Sequence, residues 1–142
     1  LRRWSSFKPT APPLLMNPAT AHFDHLHTLA AGEVEATVAE LPETLQPAAR
    51  TVPVSFMPLP DAGLRADGIE PDTLGLFCGA AMADPPGVHE EPTRIILFLK
   101  NLWEFSGTDE ATFTEEVRIT YLHELGHYFG WDEEDLEERG LN

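Results

Sequence analysis

The residues best suited to chemistry in this chain are two histidines and a glutamate in the segment His123-Glu124-Leu125-Gly126-His127. On a helix, a step of four residues places both imidazoles on one face, where they can bind a single metal ion. Glu124 directly follows the first histidine and is placed to take a proton from a metal-bound water. The spacing therefore predicts metal-assisted hydrolysis, with His123 and His127 as ligands and Glu124 as the general base.

A helix must carry this motif, and the flanking sequence predicts one over residues 115–129. The segment Thr112-Phe113-Thr114-Glu115 has the pattern of a capping box, and Gly130 follows the last turn as a left-handed cap. Successive residues turn by about 100°, so one side of this helix is polar and the opposite side is apolar. The polar side contains Glu116, Thr120, His123 and His127, and the apolar side contains Tyr121, Leu122, Leu125 and Phe129.

A third metal ligand is expected downstream of the helix, because catalytic zinc usually takes three protein ligands and keeps a fourth position for water. In the pattern HExxHxxG, the glycine lets the chain turn and return a ligand three residues later. Glu133 occupies that position after Gly130, and a carboxylate is a competent zinc ligand. Asp132 and Asp135 are the alternatives. The same acidic residues would also suit the start of a short closing helix over residues 135–139.

These residues resemble those of the small bacterial zincin-like metallopeptidases, which carry HExxHxxG with an acidic residue close behind. The likeness covers roughly residues 20–142 and is strongest over the last thirty residues. Two upstream segments, 74–79 and 94–99, look like the central strands of that group. The resemblance implies a minimal zincin fold, zinc at His123 and His127, and Glu124 as general base. One departure is that Glu133 stands where many members have aspartate.

The composition narrows the classes of partner. The formal net charge of −15 argues against nucleic acid and anionic membrane surfaces, both of which attract basic proteins. It suits a peptide or protein substrate with basic segments. Cys78 is the single cysteine, so no disulfide framework exists, and a reducing, cytoplasmic location is expected. No stretch is long and apolar enough to cross a bilayer.

The remaining sequence predicts one α+β domain, a minimal zincin-like unit over residues 21–142 that follows a flexible, proline-rich arm over residues 1–20. We expect a small twisted mixed sheet packed with an N-terminal helix and the HExxH helix. The N-terminal helix is predicted over Phe23–Leu41, with His22, His25 and His27 on its surface. The strands are predicted at Val52–Leu59, Leu74–Cys78 and Ile95–Leu99, the first at an edge because it contains prolines and the last in the centre.

Three functions follow from these observations. The main hypothesis is a zinc-dependent metallopeptidase, whose extended substrate would add to a sheet edge offered by either the Val52 segment or the Leu74–Cys78 strand. The alternative is a zincin-shaped, non-catalytic binding module with a structural or absent metal and an acidic docking surface. Metal-dependent hydrolysis of a non-peptide amide would use the same residues.

Overall fold

A computed structural model describes residues 17–139 of the chain. In this range the helices are α1 (Pro18–Glu40), α2 (Gln46–Arg50), α3 (Ala62–Ala66), α4 (Leu99–Phe105), α5 (Glu110–Phe129) and α6 (Glu133–Glu138). The strands are β1 (Val54–Met57), β2 (Gly75–Cys78) and β3 (Arg94–Phe98). The structure is thus an α+β fold with a small sheet, as predicted.

The three strands form a mixed sheet with the order β1-β3-β2. Strand β1 runs parallel to β3, and β2 runs antiparallel to β3. The continuous apolar run of β3 explains its central place, because its residues from Ile95 to Phe98 are fully buried. Strand β1 lies at an edge, as predicted from the prolines that flank it, Pro53 and Pro58.

The side chains on the two faces of β3 pack into two different hydrophobic cores. Ile95 and Leu97 face the main core, which contains the buried sides of α1 and α5. Ile96 and Phe98 point to the opposite face, where Leu64 and Leu76 pack against them. Since successive side chains of a strand alternate between faces, the same alternation in β2 decides which of its residues meet α5.

The N-terminal helix α1 begins at Pro18, five residues earlier than predicted. Asn17 caps it, because its side-chain oxygen accepts a hydrogen bond from the Thr20 backbone N–H at 2.8 Å, and proline at the first position suits a helix start. The last three residues of the predicted arm are therefore helical. The rest of that arm, residues 1–16, lies outside the described residues.

Helix α5 also begins earlier than predicted, and the predicted capping box does not form. Asp109 is the cap, and its Oδ2 accepts hydrogen bonds from both the backbone N–H and the hydroxyl of Thr112. Thr112 thus lies in the first turn, and Phe113 is fully buried, so the apolar side of α5 already includes a residue two positions before the predicted boundary. The predicted end is confirmed: Gly130 has a φ of 77°, in the left-handed region.

Two short helices, α2 and α3, were not predicted. The sequence predicts a helical turn over residues 101–105, and the structure extends it to the helix α4, which begins at Leu99. The closing helix α6 begins two residues before its predicted start. Among residues 17–139, no helix is long and apolar enough to span a membrane.

Candidate metal centre

The candidate centre lies on the last turns of α5, where the structure brings together three of the predicted site residues. The nearest ligand atoms of His123, Glu124 and His127 all lie within 4.8 Å of one another. The two imidazole rings are 5.1 Å apart between centroids and nearly perpendicular, at 84°. Their side chains are 41% and 52% exposed, whereas that of Glu124 is only 11% exposed. Two accessible ring donors therefore flank a buried carboxylate.

Strand β2 forms the wall against which this turn of α5 packs. A Cβ atom on Gly75 would lie 2.6 Å from Thr120 Cγ2 and 3.3 Å from Glu124 Cγ, so the strand and the helix approach each other where the strand has no side chain. Two residues further, the Phe77 ring stacks loosely on His127, with centroids 6.4 Å apart and an angle of 25°. Sequence reasoning missed both residues. Their common signal was the alternation of β2, which places Gly75 and Phe77 on one face.

Burial controls the electrostatics of Glu124. The loss of hydration raises the pKa of its carboxyl group above the usual 4.5. His127, His123 and hydrogen bonding from the Phe77 backbone act against this shift but are weaker than burial. The nearest imidazole contact, from Glu124 Oε1 to His127 Nε2, is 3.9 Å, which is too long for a hydrogen bond. Glu124 is therefore a buried carboxylate with raised proton affinity and no short bond to either histidine.

The chain reverses after α5 through the Gly130 cap. The Trp131 backbone N–H donates to the Gly126 carbonyl at 2.8 Å, which completes a Schellman motif. The side chain of Leu136, the buried residue of α6, then packs over Gly126, where any Cβ would be 3.0 Å from it. Gly126 thus permits a close approach of α6, and this approach holds α6 beside the histidines.

The three acidic candidates for the third ligand have different surroundings. Asp132 and Asp135 form a reciprocal capping box, in which each carboxylate accepts the other residue's backbone N–H at 2.8 and 3.1 Å. Glu133 is outside this box, and its Oε1 lies 3.3 Å from His123 Nδ1. Its side chain is 81% exposed, and it does not belong to the compact group formed by the histidines and Glu124. The structure thus places Glu133 against one histidine.

Comparison with known families agrees with this arrangement. The family model described as zincin-like metallopeptidase matches residues 49–141, which cover every strand and the whole of α5 and α6. The chain belongs to the zincin-like metallopeptidase family. A search of curated proteins returned no match.

The donor set of this zincin-like domain fits the metal that such a family implies. Neutral imidazole is a good zinc ligand, and the exposed sides of His123 and His127 leave room for an ion and a water molecule. The carboxylate between them is close but has no short contact that would hold it as a ligand. Two ring donors, one adjacent carboxylate and an exposed acidic side chain at Glu133 are together suited to zinc.

Other sequence-based candidates lie away from the centre. His22, His25 and His27 are exposed, as predicted, and His25 contacts Glu110 at 2.8 Å. Cys78 is buried. Its burial, and secondly the charge of Glu91, raise the pKa of its thiol, which suits a small core residue.

Proposed function

We propose that this protein is a zinc-dependent peptidase in which His123, His127 and Glu133 bind zinc and Glu124 is the general base. The observation that carries the proposal is the buried carboxylate of Glu124 beside two accessible imidazoles, with ligand atoms within 4.8 Å of one another. Membership in the zincin-like metallopeptidase family supports the same function. Zinc, when bound, supplies a Lewis acid that polarises the scissile carbonyl and makes the attacking water more acidic.

The chain's own part in the reaction is proton transfer and positioning. Glu124 accepts a proton from the attacking water as the water oxygen bonds to the carbonyl carbon, and it then gives that proton to the leaving amine as the C–N bond breaks. Its burial raises the proton affinity of the carboxylate, which makes it a stronger base than a solvated glutamate. Because β2 lies at the sheet edge beside α5, it is the strand along which we place an extended peptide.

The third ligand in this proposal is Glu133, supported by its contact with His123 and by the capping roles of Asp132 and Asp135. Glu133→Gln should lower zinc affinity at least about tenfold, because it removes an anionic ligand. Glu134→Gln is the matched control, since it removes the same charge from the next residue of α6. Competition with a chromogenic chelator measures both. A larger loss in Asp132→Asn or Asp135→Asn would make one of these the ligand instead.

The substrate class in this proposal is a peptide or protein with basic segments, in keeping with the net charge of −15, and neither nucleic acid nor a membrane is a partner. The cytoplasmic location expected from the single cysteine is part of the same proposal.

The decisive experiment combines metal analysis with two variants. Protein purified without added metal should contain one equivalent of zinc and cleave unstructured peptides in a chelator-sensitive way. Glu124→Gln should keep zinc and lose turnover, whereas His123→Ala should lose both. His25→Ala is the control for histidine removal, because this exposed histidine lies on α1. Zinc binding with no cleavage of any peptide would instead indicate a binding module with a structural metal, and full turnover by Glu124→Gln would refute the general base.

A further inference from the structure

A groove runs from the candidate centre along the polar side of α5, towards the start of that helix. Its volume is about 280 Å³, and both His123 and Glu124 line it. Glu124 is 9% exposed when the whole residue is counted, so its carboxylate is a nearly buried polar group in the lining of this groove. The groove is therefore continuous with the reacting centre and leads away from it.

The walls of the groove are apolar and its outer part is acidic. Leu74, Phe105 and Ile119 line it, and the last two are large apolar side chains left 63% and 37% exposed. Glu116 lines the same groove, two helical turns before His123, which is about 10 Å along the helix axis. A neighbouring hollow shares Leu74 and Phe105 and adds Asp72 and Glu104. Among residues 17–139, no lysine or arginine lines either cavity.

Glu116 differs from the other glutamates at the start of α5 in its partners. Glu110 contacts His25, and Glu115 pairs with Arg118 at 2.9 Å. Within residues 17–139, no cationic side chain forms an ion pair with Glu116. Glu116 thus lines this groove, and no cation among the residues that the structure describes neutralises its carboxylate.

We infer that this groove is a specificity pocket for a long cationic side chain, lysine or arginine, of a peptide bound at the candidate centre. The aliphatic stem of such a side chain would pack on Phe105 and Ile119, and its charged end would reach the carboxylate of Glu116. A glutamate in place of the lysine would instead be repelled by the carboxylate of Glu116. The inference rests on the proposed peptidase function and names the substrate side chain that it prefers.

The test measures charge preference with matched peptides and two readouts. Peptides identical except for lysine, arginine, norleucine or glutamate at each position beside the scissile bond are compared by kcat/KM with the zinc-loaded full chain. The same peptides are titrated onto Glu124→Gln to measure Kd without turnover. We expect lysine and arginine peptides to be preferred over norleucine about tenfold at low salt, with the preference falling as ionic strength rises.

Single substitutions distinguish an effect of Glu116 on charge preference from an effect of the protein's overall negative charge. Glu116→Gln should lower the ratio of lysine to norleucine about tenfold, and Glu116→Lys should reverse it in favour of glutamate. Glu115→Gln removes an equal charge from the adjacent residue and should leave the ratio within about twofold, because Glu115 pairs with Arg118 away from the groove. Circular dichroism and zinc content verify that each variant is folded and loaded.

The outcomes distinguish this inference from the proposed function. If the unsubstituted protein cleaves peptides and Glu116→Gln leaves the lysine-to-norleucine ratio unchanged, the specificity pocket is refuted and the proposed peptidase function is not. Lysine-selective binding to Glu124→Gln without any cleavage by the unsubstituted protein would support the groove and overturn the peptidase. Absence of both binding and cleavage would overturn both.

Discussion

The two edges of the sheet differ in the residue that each pairs with Leu97 of the central strand. Phe56 of β1 and Gly75 of β2 both pair with this central residue, so the three positions share one face of the sheet. On the β1 side the position is filled by the phenyl ring of Phe56. This ring packs edge-on against the imidazole of His27 in α1, with 4.6 Å between the ring centroids. On the β2 side it has no side chain, and Thr120 and Glu124 of α5 come into that space. One edge is a packing surface, and the other is a wall of the candidate centre.

The difference between Phe56 and Gly75 shows how a small domain can bring a carboxylate close to a strand edge. The absence of a Cβ at Gly75 lets α5 lie against β2, and the same approach removes water from Glu124. The chain thus combines burial of the proposed base with an open strand edge beside it.

The largest expected effect comes from filling the space at Gly75. Gly75→Val should displace α5 from β2 and lower the free energy of unfolding by about 2–3 kcal/mol, because the core is overpacked. His123, His127 and α6 move together with α5, so zinc should still bind. Since the displacement changes the position of the Glu124 carboxylate relative to the edge of β2, kcat/KM should fall about 100-fold. Urea denaturation, zinc content and peptide cleavage measure these three effects.

Phe56→Leu is the control at the same level of the sheet on the opposite edge. It should lower the free energy of unfolding by about 1 kcal/mol through lost packing, and peptide cleavage should stay close to that of the unsubstituted protein. Equal losses of activity in the two variants would show that the centre depends on general stability and that β2 has no special place.

A smaller effect, on the free energy of unfolding, is expected from replacing the buried carboxylate of Glu124 beside β2. In metal-free protein, Glu124→Gln should raise the free energy of unfolding at pH 7 by about 0.5–2 kcal/mol, because a buried charge is replaced by a neutral amide. The folded-state pKa is raised above 4.5, so the carboxyl is neutral in both states below that pH, and the ionised form is disfavoured in the fold above it. The advantage of the variant should therefore appear as pH rises from about 4.5.

Denaturation at a series of pH values measures this difference, with Glu115→Gln as the control. The guanidinium of Arg118 lowers the pKa of Glu115, so removal of that carboxyl should change stability in the opposite direction. A pH-independent difference between Glu124→Gln and the unsubstituted protein would contradict the burial argument.

The smallest effect concerns Tyr121, on the side of α5 that faces β1. This residue is 1% exposed, and burial raises the pKa of its hydroxyl from 10.0 to about 12. The fold favours the neutral phenol, so stability is unaffected below pH 10 and falls as pH rises towards 12, by about 1 kcal/mol at pH 11. Tyr121→Phe should lack this fall, whereas Tyr128→Phe should retain it. Unfolding curves between pH 8 and 11 measure both.

Local patterns in the sequence were sufficient to predict the motif helix, its glycine cap and the three strands, because each depends on neighbouring residues. The helix starts were placed too late for a physical reason. Thr112 and Glu115 have the capping-box spacing, but Asp109 caps the helix first and Phe113 is buried in the main core. Which strand edge lies beside the centre depends on Gly75 meeting Thr120, a contact across 45 positions that no local pattern contains. The side-chain contact of Glu133 is likewise decided by how α6 docks.

The attachment of α6 has a consequence for the exchange of its amide hydrogens. This helix has six residues and is held to α5 mainly by Leu136 over Gly126 and by the Gly130 cap. So short a segment opens locally at low cost, and its backbone amides should exchange much faster than those of the buried middle of α5. If Glu133 binds the metal, zinc would suppress this local opening and slow the exchange, so the amides of α6 would report on the occupancy of the site.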